Sequence, residues 1–243
     1  MQSVNIRIMK PRLRSALSAA LLAALWLSYP TPVSARPAAP RKLQPVDEAN
    51  KDASLRRFRA QLQAAIARQD VAALSKSTDP DIRYSFGADG GRQSFLARFG
   101  REGAAGGPGQ PSQLWAELGR VLALGGAFVS PTEFCAPYVF ARFPEDLDAF
   151  AYVVVTSVAA PVRAQPAEDA AVLETLRYDI VHRDEKGGAP AVLGSRPEWV
   201  RVLTPTGKSG YLNDRDLRSP TDYRACFHKG AGQWLLTTFV AGD

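Results

Sequence analysis

The chain predicts an α+β protein in which a small helix-plus-antiparallel-sheet domain carries a compact β-barrel. Three observations point there. Apolar residues recur at helical spacing between residues 52 and 122. Short β-branched and aromatic runs, each closed by Gly or Pro, fill residues 152–217. The chain then ends on two alternating runs about a Lys229-Gly230-Ala231-Gly232 turn. A 3.6-residue period marks a helix packed by one face, and a two-residue period marks a half-buried strand.

In chain order, residues 1–35 read as a signal peptide. Arg7, Lys10, Arg12 and Arg14 form a basic start, Ala16 to Leu27 an apolar run too short to span a bilayer, and Val33-Ser34-Ala35 a small-residue cleavage site. Cleavage leaves residues 36–243 and lowers the formal net charge from +6 to about +2. No basic stripe survives in that part, so nucleic-acid binding is not expected. The expected location is periplasmic or secreted, and the mature chain is expected to be soluble. Residues 36–50, proline-rich at their start, read as a disordered linker.

The N-terminal domain is expected over 51–150. Leu55, Phe58, Leu62, Ala65 and Ile66 lie on one helical face from about Asp52 to Gln69. Asp70 caps a second short helix, and Asp79-Pro80 stops it. Ile82, Tyr84 and Phe86 alternate as a strand, and Gly87 to Gly91 turns. Gln93 to Phe99 is a further short helix, Gly100 to Gln113 a Gly/Pro-rich loop without a phosphate-binding pattern. Leu114, Trp115, Leu118, Val121 and Leu122 mark another helix, ended by Gly125-Gly126. Phe134 to Phe143 reads as extended chain under the helices.

The barrel is expected over 151–218 and the closing hairpin over 219–243. In the hairpin, Tyr223, Ala225 and Phe227 alternate on one arm, and Trp234, Leu236, Thr238 and Val240 on the other. The hairpin either extends the barrel or completes the N-terminal domain, with the barrel inserted before it. Cys135 and Cys226 are either a disulfide, as an exported pair allows, or two buried thiols.

Pro161-Val162-Arg163, Trp199-Val200-Arg201-Val202 and Gly210-Tyr211-Leu212 together resemble bacterial Src-homology-3 domains across residues 152–217. The resemblance implies a small barrel whose long loops frame a groove for extended peptides or wall fragments. The insert Arg183 to Pro197 departs from that family and lengthens one loop. The helix at 52–69, the segment Gln69 to Leu74, the strand after it and the closing hairpin resemble cystatin-like or nuclear-transport-factor-2-like α+β cones.

Catalytic chemistry finds little to rest on. His182 and His228 have no carboxylate at a spacing that would orient them. Asp79, Asp81 and Asp89 read as turn formers, and Glu145, Asp146 and Asp148 as a solvated acidic turn. No cofactor or metal is expected. Arg163, Tyr178, Trp199 and Tyr211 are the candidate ligand-binding residues, although Trp199 and Tyr211 also suit the barrel core. The expected function is non-enzymatic binding of peptidoglycan or cell-wall fragments, or of a protein partner. Two alternatives stand beside it: a small-molecule or weakly catalytic site lined by Arg83, Tyr84 and Trp115, and a docking role without a ligand.

Overall fold

The computed structural model describes residues 41–87, 91–100, 113–184 and 198–242. The expected signal peptide, the start of the linker, most of the Gly100 to Gln113 loop, Asp89 and most of the Arg183 to Pro197 insert lie outside them. The described chain is α+β, built from five helices and thirteen strands in two sheets.

The helical pattern of residues 52–69 forms α1 (Ala53–Arg68), which buries Leu55, Phe58, Leu62 and Ala65. Asp52 caps it by accepting from the backbone N–H of Ser54 and Leu55. Asp70 accepts from Ala73 N and starts α2 (Val71–Lys76). The following strand begins earlier than expected, as β2 (Thr78–Arg83), and runs through Pro80. It pairs in parallel with the last strand only at Thr78 and Arg83, and the chain between bulges past the proline, which has no N–H to give. Tyr84 and Phe86 lie beyond the strand.

Two further helices, α3 (Arg92–Ala97) and α4 (Gln113–Ala123), precede β3 (Ala127–Ser130) and β4 (Glu133–Ala136). The expected extended run from Phe134 to Phe143 is instead split. Its first part is β4, and after Pro137 it turns into α5 (Tyr138–Ala141). Proline supplies no donor to a strand ladder and is at home at a helix start, so the split falls there.

The hairpin is β12 (Arg224–Gly230) and β13 (Gln233–Val240). With β2, β3 and β4 it makes a five-stranded sheet in the order β2-β13-β12-β4-β3. A bulge corrects the simple alternation. Phe227 pairs with Leu236 but Cys226 pairs with Thr238, so Thr237 is the extra residue, and its hydroxyl donates to Cys226 O at 3.1 Å. The inward face therefore shifts from Trp234 and Leu236 to Phe239, and Thr238 leaves it. Cys135 and Cys226 face each other across β4 and β12 and form a disulfide.

The other sheet takes β1 (Arg41–Lys42) and seven strands from the middle of the chain. These are β5 (Tyr152–Val155), β6 (Ala160–Arg163), β7 (Val172–Leu176), β8 (Asp179–Arg183), β9 (Trp199–Leu203), β10 (Ser209–Asn213) and β11 (Leu217–Arg218). Their order is β11-β5-β8-β9-β10-β6-β7, with β1 on β8. It is an open path: among the described residues no ladder joins β7 to β11. Val153, Val162, Leu176, Val181, Val202, Leu212 and Leu217 nevertheless meet in one buried cluster, drawn from all seven strands.

Residues 41–50 of the expected disordered linker are instead held by specific contacts, and residues 36–40 lie outside the described residues. Arg41 and Lys42 pair with Ile180 and Asp179, Leu43 N donates to Tyr178 O, and Val46 packs with Tyr138 and Val139. Glu48 accepts from Lys51 Nζ at 2.8 Å, Phe128 N at 3.0 Å and Arg142 Nη2 at 3.1 Å. The proline-rich composition at its start conceals the apolar Leu43 and Val46 that anchor it.

Candidate functional site

The alternation of two neighbouring strands builds the site. In β9, Val200 and Val202 turn toward the buried cluster, so Trp199, Arg201 and Leu203 stand on the opposite face. In β10, Leu212 turns inward with Gly210, and Ser209, Tyr211 and Asn213 turn out. Gly210 is required where it stands. A Cβ there would meet Val162 Cγ1 at 2.5 Å and Arg163 O at 2.9 Å, closer than β6 and β10 could bear.

Register then places the outward residues in rows. Tyr211 lies opposite Arg201 on one side and Arg163 on the other. Trp199 lies opposite Asn213 in the next row. On the other side, Ser209 faces Leu203, Leu203 faces His182, and His182 faces Tyr152. His182 and Tyr152 meet edge to face at 5.1 Å.

Two carboxylates hold the guanidinium groups beside Tyr211. Arg163 donates from Nη1 to Ala170 O at 2.8 Å, with Nη2 3.8 Å from Glu168. Glu168 also pairs with Arg215 at 2.9 Å and accepts from Asn213 Nδ2 at 3.4 Å. On the opposite flank, Arg201 Nε lies 3.2 Å from Asp184 and its Nη2 donates to Ser209 Oγ at 3.4 Å. Ser209 Oγ in turn donates to Asp184 at 3.0 Å. Such ties fix the positions of long cationic side chains before any ligand arrives.

Of the four residues expected to bind ligand, Arg163, Trp199 and Tyr211 share this face. Val200, Val202 and Leu212 fill the core in place of Trp199 and Tyr211, whose rings stay half-buried and make no ring–ring contact among the described residues. Tyr178 sits elsewhere. It occupies the β7–β8 turn with φ 57°, the Arg177 guanidinium over its ring at 5.5 Å. It neighbours Tyr138, whose hydroxyl is pushed up to about 12 by burial and by the nearby Tyr178. Arg201 and Asn213 belong to the face and were not singled out from the sequence. The signal was present, since Arg201 has the parity of Trp199 and Asn213 that of Tyr211.

The other candidates resolve as scaffold. Tyr84, Phe95, Phe99, Trp115 and Phe239 pack their rings against one another, and Trp115 Nε1 donates to Phe99 O at 3.0 Å. Tyr84 and Trp115 thus fill the interior of the helical half, while Arg83 lies over the Phe86 ring. Asp79 accepts from Asp81 N, and Asp146 pairs with Arg41. Glu133, Cys135 and Cys226 are close enough to share an ion, but the two sulfurs are bonded to each other. No helix among the described residues is long and apolar enough to cross a membrane.

No family model and no curated protein matches the chain. One solved chain, with a title beginning Rd1NTF2_05, is 11% identical with a TM-score of 0.25, covering 77% of this chain and 95% of its own. At that score the likeness carries no argument about fold or function.

Proposed function

We propose that this is an exported, non-enzymatic binding protein that takes a cell-wall fragment or extended peptide on the outward face of β6, β10 and β9. The reading rests on one arrangement: Tyr211 stands in register between Arg163 and Arg201, with the Trp199 ring in the next row. An aromatic ring stacks on the apolar face of a sugar or on a peptide side chain. A guanidinium on each flank pairs with carboxylates of a stem peptide or an acidic partner. On this reading the strands of 152–218 act as a Src-homology-3-like barrel, and the helical half with its hairpin is the cone-like body that carries it. The test is co-sedimentation of the chain with purified peptidoglycan. Saturable binding that Tyr211→Ala weakens supports the proposal; no binding, or binding indifferent to Tyr211, rules out this face.

A further inference from the structure

A second charged surface lies on the other sheet, far in sequence from the face above. The first two turns of α1, the end of α2 and the start of β13 enclose an open cleft of about 300 Å³. Ser54, Arg57, Gln61, Lys76, Ser77 and Trp234 line it. Trp234 is almost fully buried and closes the floor, its Nε1 donating to Ser54 Oγ at 3.1 Å.

The charge of this cleft is one-sided. No carboxylate is among the lining residues, and Asp52, hydrogen-bonded to the lining residue Ser54, is already committed. It accepts from Ser54 N, Leu55 N and Ser54 Oγ, and pairs with Lys229 Nζ at 2.8 Å. Lys229 and Ser54 hold it ionised well below the usual carboxylate range. Arg57 and Lys76 have no acidic partner among the described residues. They come from the second turn of α1 and the end of α2 and line the same space, where Gln61 adds an uncharged donor, while the Ser77 hydroxyl is spent on Ala73 O at 3.1 Å. A concave surface of one sign concentrates its field on the opposite charge. A guanidinium and an ammonium with neutral donors between them match an oxyanion.

We infer that this cleft binds a small oxyanion-bearing ligand, with Arg57 and Lys76 pairing to a carboxylate or phosphate and Gln61 adding a hydrogen bond. The lining is more polar than apolar, which suits a compact, hydrophilic anion over an aromatic one.

Isothermal titration of the full chain with citrate in one arm and inorganic phosphate in the other tests this and separates the two sources. The controls are Arg57→Gln/Lys76→Gln, which empties the cleft of charge, and Arg56→Gln, an exposed change on the same helix outside the cleft. The expected result is saturable binding of at least one probe, weakened tenfold or more in the double variant and by less than twofold in Arg56→Gln. No saturable binding of either probe by the unaltered chain overturns the inference. Equal weakening in both variants does so too, because it reports net charge and no site. All three substitutions are at solvent-accessible positions, so circular dichroism is expected to be unchanged.

Discussion

Cys135 and Cys226 face each other across β4 and β12, and between them in sequence lies every strand of the other sheet except β1. The bond therefore ties the two sequence-distant parts of the five-stranded sheet across a separation of 91 residues. Cross-linking a loop of that length removes roughly 4–5 kcal/mol of denatured-state entropy. The variant Cys135→Ala/Cys226→Ala is expected to lose most of that, read as a lower midpoint in urea with a slope equal to or steeper than that of the bonded chain, because the unlinked denatured chain exposes more surface. An equal midpoint with and without the bond would show that the sheet is closed as firmly by its own hydrogen bonds.

Arg218 ties β11 to α4 and to the turn before β12. Its side chain is fully buried at the edge strand β11, 2.7 Å from Glu117 of α4 and 3.6 Å from Asp222, and donates from Nη2 to Tyr223 O at 2.6 Å. Removing one member of a buried pair strands the other, at a cost of about 3–5 kcal/mol. Arg218→Ala is expected to fall in that range. Arg218→Met/Glu117→Leu, which removes the closest ion pair and leaves Asp222 its hydrogen bond from Ser219 N, is expected to recover more than half. A double variant no more stable than the single one would assign the loss to packing in place of the charge.

How much of this could be read from residues alone depended on period. Helices α1 and α4 announced themselves through apolar residues at three and four positions, and the hairpin through alternation about its glycine turn. The bulge at Thr237 does not show in the sequence, because it depends on pairing with another strand; the switch to a helix after Pro137 hides within a short aromatic run that suits a strand equally well. The proposed face is half legible. Strand parity groups Trp199 with Arg201 and Tyr211 with Asn213, but only pairing with β6 brings Arg163 beside them. Tyr178 is an aromatic of the same region in sequence, yet it stands in the left-handed turn before β8, beside Tyr138.

The acid sensitivity of the fold is expected to centre on Glu48. Its carboxylate accepts from Lys51, Phe128 N and Arg142, which lower it from 4.5 to about 2. A carboxylate lowered by folding contributes its stability above the unfolded value, here about 4.5, and loses it as the pH falls toward about 2. Glu48→Gln is thus expected to be less stable at pH 6 by about 1 kcal/mol, since its cationic partners are partly solvated. The gap should close between pH 4.5 and 2. Melting curves at pH 6, 4 and 2.5 measure it, and a gap that stays constant would remove Glu48 as the source.

The separation of Tyr178 from the face gives the binding proposal its sharpest test. Truncating an aromatic ring at a binding surface removes about 1 kcal/mol, some fivefold in affinity. Tyr211→Ala and Trp199→Ala are each expected to weaken peptidoglycan binding by that factor or more. Their rings face outward, so melting temperatures should hardly move. Tyr178→Ala is expected to do the reverse: it relieves nothing at the face, disturbs the packing around Tyr138, and leaves affinity within twofold. Arg201→Gln supplies the electrostatic arm, because its loss should lower affinity at low salt and matter less as salt rises and screens the pairing. A ranking in which Tyr178→Ala weakens binding most would move the site from the β9–β10 face to the β7–β8 turn.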